Sequence, residues 1–135
     1  MTTRKKQLIE IWYHRMWNQW DKSVFPDILA EDITFRGSLG NVVEGYSGVS
    51  GYIDYIRAAF PDFQNIIEEI IAEGDKAFAR LTYTGAHQGP IFGIEPTGKK
   101  ITYAGAAVFT FRDDRIADVW VLGDIYGLLR QLRGE

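Results

Sequence analysis

Cysteine is absent from this sequence of 135 residues, so disulfide bonds, thiolate metal sites and cysteine nucleophiles are all excluded. An excess of positive charge is also absent. The formal net charge is −3, so the chain has no strongly basic surface for a phosphate backbone or an anionic membrane. No apolar run is long enough to cross a bilayer, and residues 1–15 lack the apolar core and cleavage site of a signal peptide. We therefore expect a cytoplasmic protein with no nucleic-acid or membrane partner.

Motifs that bind metals or cofactors are missing too. The two histidines, His14 and His87, show no metal-ligand spacing. The segment GYSGVSG at residues 45–51 shares only its glycines with a phosphate loop, because it lacks the preceding strand and the Lys-Ser/Thr ending. A loop that leads into a helix explains it better. The sequence therefore predicts no metal site and no phosphate-binding loop.

Apolar residues, by contrast, are abundant: the chain is 46% hydrophobic and 14% aromatic, enough for one domain over residues 1–135. The first segment predicts an amphipathic helix, because its apolar residues recur at intervals of three and four. These residues are Ile9, Trp12, Tyr13, Met16, Trp17 and Trp20. Asp21 is positioned to cap a short second helix, and a third opens at Ser47 and stops before Pro61.

The second half of the chain has the alternating pattern of long strands. Turns are predicted at residues 73–76 and at Asp113-Asp114, the second between strands over residues 100–112 and 115–123. Helices followed by an antiparallel meander predict an α+β fold, not a parallel α/β sheet. Strands of this length curl, so helices packed against them leave a cone with a pocket inside.

Three motifs together resemble the SnoaL-like polyketide cyclases, a branch of the NTF2-like superfamily. They are the loop GAHQGPIFGIEPTGKKI at residues 85–101, the FPDF turn at residues 60–63, and Trp120 to Asp124 followed by LLRQL at residues 128–132. The resemblance implies a cone-shaped α+β barrel, often dimeric, with N-terminal helices packed on a curved antiparallel sheet. It also implies aldol ring closure without a cofactor, using one aspartate as acid and base, and that aspartate matches Asp124.

Asp124 has two interpretations on the residues alone. If the last strand continues to it, Asp124 shares the face of Trp120 and Leu122, where burial would make it a stronger base. Alternatively, it caps the C-terminal helix. The resemblance favours the catalytic role. His87 lies before a glycine- and proline-rich loop at residues 88–99, and it either assists Asp124 in catalysis or is a half-exposed hydrogen-bonding residue. Its place in the loop that resembles the family favours the catalytic role.

A small apolar or aromatic molecule is the predicted ligand. The candidate ligand-binding residues are Trp12, Met16, Trp17, Arg36, Phe60, Tyr103 and Trp120. Whether Arg36 and Asp32 lie on the concave face is open, so a pocket role and a surface ion pair are both possible. Apolar residues at both parities of residues 103–111 predict a homodimer formed through the outer sheet face.

The leading functional hypothesis is a cofactor-independent enzyme that removes a proton next to a carbonyl group, in an aldol-type cyclisation or an isomerisation. A dehydratase or an epoxide hydrolase in the same cone is an alternative, although epoxide hydrolysis would need a second acid and an arginine around one water. A ligand-binding module without catalysis is a further alternative, because fold transfers between relatives better than substrate does.

Overall fold

The structure is a computed structural model that describes residues 2–135. Helix α1 (Thr2–Glu10) continues into a π-helical segment (Ile11–Trp17), and a 3-10 turn (Lys22–Val24) leads into helix α2 (Phe25–Ile28). Strands β1 (Leu29–Arg36) and β2 (Val42–Glu44) precede helix α3 (Gly45–Ala59). Strands β3 (Gln64–Glu73), β4 (Lys76–Ala86), β5 (Lys100–Arg112) and β6 (Arg115–Gly123) are followed by helix α4 (Ile125–Arg133).

Six strands form one curved sheet in the order β2-β1-β6-β5-β4-β3. The four strands β3 to β6 make the predicted antiparallel meander. Strand β1 joins the other edge of β6 in a parallel pair, where Phe35 lies opposite Val119. This pair is possible because most of the chain separates the two strands and no tight turn has to connect them. The α+β fold is therefore confirmed, with one parallel pair in a sheet that was predicted to be antiparallel.

Both predicted turns are present, and their backbone angles show why the chain turns there. Gly74 adopts a left-handed φ of 58° between β3 and β4. Asp113 and Asp114 have φ of 52° and 63° between β5 and β6. Two successive left-handed residues match the right-handed twist of the strands they connect, and aspartate tolerates this conformation better than most residues.

The core lies between the inner face of the sheet and the helices. The predicted helical stripe is buried at Ile9, Trp12, Tyr13, Met16 and Trp17. Helix α3 begins two residues before the predicted Ser47 and ends before Pro61, burying Val49, Tyr52, Ile53, Ile56 and Ala59. Asp21 accepts a hydrogen bond from the Ser23 N–H and caps the 3-10 turn. Within residues 2–135, no helix has the length and apolar character needed to cross a membrane.

Candidate functional site

A small cavity lies between the π-helical segment, α3 and the inner face of the sheet. Its volume is about 20 Å³, which is space for one water molecule. The lining residues are Trp12, Tyr13, Trp17, Phe35, Ser38, Tyr52, Ile56, Phe63, Asn65, Tyr83 and Val121. None of these lining residues is an aspartate, glutamate, lysine, arginine or histidine. The cavity is therefore an aromatic site whose only polar groups are neutral.

The π-helical segment supplies three of the lining residues. Its wider turn is shown by the Asn18 N–H, which donates to the Tyr13 carbonyl five residues earlier. Trp12 and Tyr13 are adjacent in sequence, and both are buried. Segments of π-helix are rare and occur mostly as short insertions at functional sites. Here the segment brings Trp12, Tyr13 and Trp17 to the same cavity.

Four tyrosines and one serine form what we call the hydroxyl cluster: Tyr13, Ser38, Tyr52, Tyr83 and Tyr103. The Ser38 Oγ lies 3.3 Å from the Tyr103 hydroxyl, and Ser38 lines the cavity together with Tyr52. The rings of Tyr83 and Tyr103 are 4.9 Å apart. Tyr103 does not line the cavity itself, but it contacts Ser38, which does. The cluster thus joins the loop after β1 to α3, β4, β5 and the π-helical segment.

Burial keeps these tyrosines in their neutral form. Desolvation raises the pKa of Tyr13, Tyr52, Tyr83 and Tyr103 above the ordinary tyrosine value. The neighbouring tyrosines raise the pKa of Tyr83 further. At neutral pH each phenol can donate a hydrogen bond, and none is poised to remove a proton. The cluster is therefore suited to stabilising negative charge on a ligand oxygen.

Two glycines determine how closely tyrosine rings approach the sheet and the neighbouring loop. A Cβ atom at Gly37 would overlap the Tyr52 ring, and one at Gly105 would overlap the Tyr83 ring. Any larger residue at either position would push the ring toward the cavity. Asn65 is held from the other side, because its backbone N–H donates to the Asn18 Oδ1 at 2.7 Å. The geometry of the hydroxyl cluster thus depends on residues that carry no hydroxyl group.

Asp124 is exposed, so the prediction that it is buried is wrong. It shares the parity of Trp120 and Leu122, but that parity is the outer face, where these two side chains are 43% and 54% exposed. The Asp124 carboxylate instead accepts a hydrogen bond from the Gly127 N–H at 2.9 Å and caps α4. This is the alternative interpretation of the sequence. No observation tests whether Asp124 also takes part in catalysis, and that role stays a prediction.

His87 is fully buried, so the alternative in which it is a half-exposed hydrogen-bonding residue is wrong. Its Nδ1 accepts a hydrogen bond from the Thr97 N–H at 3.1 Å and lies 3.0 Å from the Thr97 Oγ1. Its Nε2 is buried without a partner among residues 2–135. His87 does not line the cavity. In this structure it anchors the loop at residues 88–99. The His87 N–H also donates to the Lys99 carbonyl, so both ends of the loop are joined at His87.

The predicted ligand-binding residues divide into three groups. Trp12 and Trp17 line the cavity, and Tyr103 contacts it through Ser38. Met16 and Phe60 are buried but do not line the cavity, so their place is the core.

Arg36 and Trp120 form the third group and lie on the outer face, which corrects their predicted place in the pocket. The Arg36 guanidinium is 5.0 Å from the centre of the Trp120 ring and donates to the Val121 carbonyl. The physical reason is strand parity: Phe35 points into the cavity, so its neighbour Arg36 points outward. Asp32, on the same strand, pairs with Arg112 at the surface.

Sequence reasoning missed several cavity residues, including Ser38, Asn65 and Tyr83. A signal existed for Tyr83, because it continues the inward alternation of Ala77, Ala79 and Leu81 along β4. Ser38 gave no such signal. It belongs to a loop, and only its position in the cavity lining and its contact with Tyr103 show its place in the site.

Comparison with known proteins agrees with this fold. A family model of SnoaL-like polyketide cyclases matches residues 7–132. The chain is similar to the solved structure of a SnoaL-like protein from Jannaschia sp. CCS1, with a TM-score of 0.89 and 18% identity, over 98% of this chain and 94% of that one. It is also similar to TsrD from Streptomyces laurentii, with a TM-score of 0.85 and 27% identity, over 96% and 95% of the two chains.

A third solved structure is a protein from Acidithiobacillus ferrooxidans that has been assigned to the polyketide cyclases. Its TM-score is 0.86 and its identity 27%, over 97% of this chain and 95% of that one. No protein of curated function matches the sequence.

Proposed function

This chain belongs to the SnoaL-like polyketide cyclase family and has the NTF2-like fold, and from this premise we propose that its cavity receives the ketone group of a neutral apolar molecule. The observation that supports the proposal is the hydroxyl cluster in an otherwise aromatic and uncharged cavity. Neutral phenols donate hydrogen bonds to a carbonyl oxygen, and the aromatic walls exclude the water that would compete for them.

The reaction we propose is an aldol-type cyclisation or an isomerisation of that ketone. A base removes a proton from the carbon next to the carbonyl, and the hydroxyl cluster stabilises the enolate oxygen that results. In a cyclisation the enolate carbon then bonds to a second carbonyl carbon of the same molecule, and the alkoxide formed there takes a proton. The hydroxyl cluster stabilises the negative charge that develops on the carbonyl oxygen in the transition state more than it stabilises the neutral ketone, and this difference lowers the activation barrier.

Asp124 is the base that the family resemblance implies, and we keep it as a proposal. Its carboxylate would have to leave the Gly127 N–H, because it points to the outer face in this structure. Its backbone is close to the site: Asp124 follows Gly123, where a Cβ atom would lie 2.8 Å from the Ser38 Cβ. A rotation of the side chain past Gly123 is therefore the movement that this mechanism requires.

A second candidate is a binding protein without catalysis. The observation that favours it is the lining of the cavity, in which no described residue ionises near neutral pH. Such a site can hold a ketone through the hydroxyl cluster and leave it chemically unchanged.

Binding can be tested with prodan, a fluorescent propionyl naphthalene whose emission shifts to the blue when it leaves water. Tyr83→Phe removes one neutral hydrogen bond, so we expect the dissociation constant to rise about fivefold. Tyr126→Phe is the matched control, because Tyr126 is 75% exposed on α4. Equal affinity of the Tyr83→Phe variant and the wild type would contradict ketone binding at the hydroxyl cluster.

Proton transfer can be tested with the same ketone in D2O. Deuterium uptake at the carbon next to the carbonyl, above the rate in buffer, is expected if the protein is an enzyme, and Asp124→Asn should abolish it while prodan still binds. Asp113→Asn is the control, because Asp113 is an exposed residue of the turn between β5 and β6. Binding without uptake would support the binding protein instead.

A further inference from the structure

A groove on the outside of α3 adjoins the cavity. Its volume is about 490 Å³. The lining residues are Leu39, Asn41, Val43, Ser47, Gly48, Gly51, Tyr52, Tyr55 and Phe92. None of these carries a charge. The groove is therefore much larger than the cavity and equally neutral.

One aromatic ring separates the two spaces. Tyr52 lines both the cavity and the groove. Next to it, Ser38 lines the cavity and Leu39 lines the groove, although they are adjacent in sequence. The Leu39 N–H donates to the Tyr52 hydroxyl at 3.4 Å, a long bond, and the ring lies directly over Gly37. The Tyr52 side chain, held at its hydroxyl by one long hydrogen bond, is therefore the part of this wall that can move.

Two partly exposed aromatic side chains line the groove. Tyr55 is 50% exposed and Phe92 is 37% exposed. Phe92 has a φ of 53°, a conformation that residues other than glycine seldom adopt. Aromatic faces of this kind stack on flat apolar groups. The groove is therefore suited to the apolar body of a ligand, and its lack of charge disfavours an ionic one.

The volumes and lining of the cavity and the groove show why neither can form the whole ligand-binding site. Sites for small organic ligands measure about 300–1,000 Å³, and the cavity, at about 20 Å³, is far below that range. The groove lies within it at about 490 Å³ but contains none of the buried hydroxyl groups apart from Tyr52.

We propose that one ligand spans both spaces, with its ketone at the hydroxyl cluster and its flat apolar body in the groove between Tyr55 and Phe92. Tyr52 moves aside as the ligand enters. This proposal rests on the proposed function for the position of the ketone, and it adds the groove as the part of the site that holds most of the ligand.

Gly51→Leu tests the groove without damaging the fold. A Cβ atom at Gly51 meets nothing within 4 Å, so leucine fits there, and because Gly51 lines the groove the new side chain takes up part of its space. Because leucine favours the helix more than glycine does, the variant should melt no lower than the wild type. Ala58→Leu is the matched control: it lies on the same helix, is exposed and does not line the groove.

The expected result with prodan is a dissociation constant about tenfold higher for Gly51→Leu and unchanged for Ala58→Leu. Tyr83→Phe should weaken binding in the same experiment. If Tyr83→Phe weakens binding but Gly51→Leu does not, the groove proposal is overturned and ketone binding at the hydroxyl cluster stands. If only Gly51→Leu weakens binding, the ligand lies in the groove alone and a spanning ligand is contradicted. No prodan binding by the wild type would overturn it as well.

The movement of Tyr52 has its own readout. Tyr52→Phe keeps the ring but removes the hydroxyl that holds it to Leu39, so stopped-flow fluorescence should show faster association of prodan. Association at the wild-type rate would mean that Tyr52 does not control entry.

Discussion

Replacing Asp124 separates its role as a helix cap from the buried base that the sequence predicted. In the structure the carboxylate accepts one hydrogen bond, from the Gly127 N–H at 2.9 Å, and is exposed to solvent. The amide introduced by Asp124→Asn keeps an oxygen acceptor for that bond, so this variant loses only the attraction between the charge and the dipole of α4, about 0.5 kcal/mol. Asp124→Ala also loses the cap, for a total of about 1.5 kcal/mol.

These losses are measurable as melting temperatures. A domain of 135 residues has an unfolding entropy of about 0.28 kcal/mol/K, so the expected shifts are about 2 °C for Asp124→Asn and about 5 °C for Asp124→Ala. Thermal melts at neutral pH give both values. The difference between Asp124→Asn and the wild type should shrink in about 1 M salt, which screens the dipole interaction. An Asp124→Asn variant that melts above the wild type would refute the exposed cap, because only a desolvated carboxylate is relieved by becoming neutral.

Three further predictions follow from burial and contacts. Because burial raises the pKa of Tyr13, Tyr52, Tyr83 and Tyr103, their contribution to stability is complete below pH ~10 and is lost as the pH rises above it, where the unfolded chain ionises first. Urea unfolding from pH 8 to 11 measures this loss, which should be smaller in Tyr83→Phe; an equal loss in that variant would contradict the burial of Tyr83. Thr97→Val removes the hydroxyl beside the His87 Nδ1 but keeps the Thr97 N–H that donates to it, and should lower stability by about 1 kcal/mol in a thermal melt; an unchanged melt would show that the hydroxyl contributes nothing to this anchor. The predicted homodimer should dissociate in Trp120→Glu, because Trp120 is exposed on the outer sheet face; light scattering that shows a monomeric wild type at micromolar concentration would contradict it.

Local patterns in the sequence predicted the elements of this fold. The turn at Gly74 and the turn at Asp113-Asp114 were visible because each needs left-handed backbone angles that few residues adopt. The helical stripe around Trp12 was visible because its period differs from that of a strand. Each of these signals is contained in a few consecutive residues.

The faces of the strands were not visible in the same way. Alternation along β1 separates Phe35 from Arg36, but only the parallel pairing with β6 and the helices packed above determine which of the two points inward. Asp124 illustrates the same difficulty. The prediction that it shares a strand face with Trp120 was right, but that face is the outer one and not the face that lines the core. The hydroxyl cluster depends on contacts between residues as distant in sequence as Ser38 and Tyr103, which no local pattern encodes.

The vibrational frequency of a bound ketone tests the hydroxyl cluster most directly. Hydrogen bonds to a carbonyl oxygen weaken its C=O bond, so the infrared stretch of prodan bound to the wild type should lie below its value in hexane. In Tyr83→Phe, with prodan saturating, the stretch should move back toward the hexane value, and in Tyr126→Phe it should not change. A stretch in the wild type equal to that in hexane would show that the ketone does not meet the hydroxyl cluster, and would contradict the proposed function.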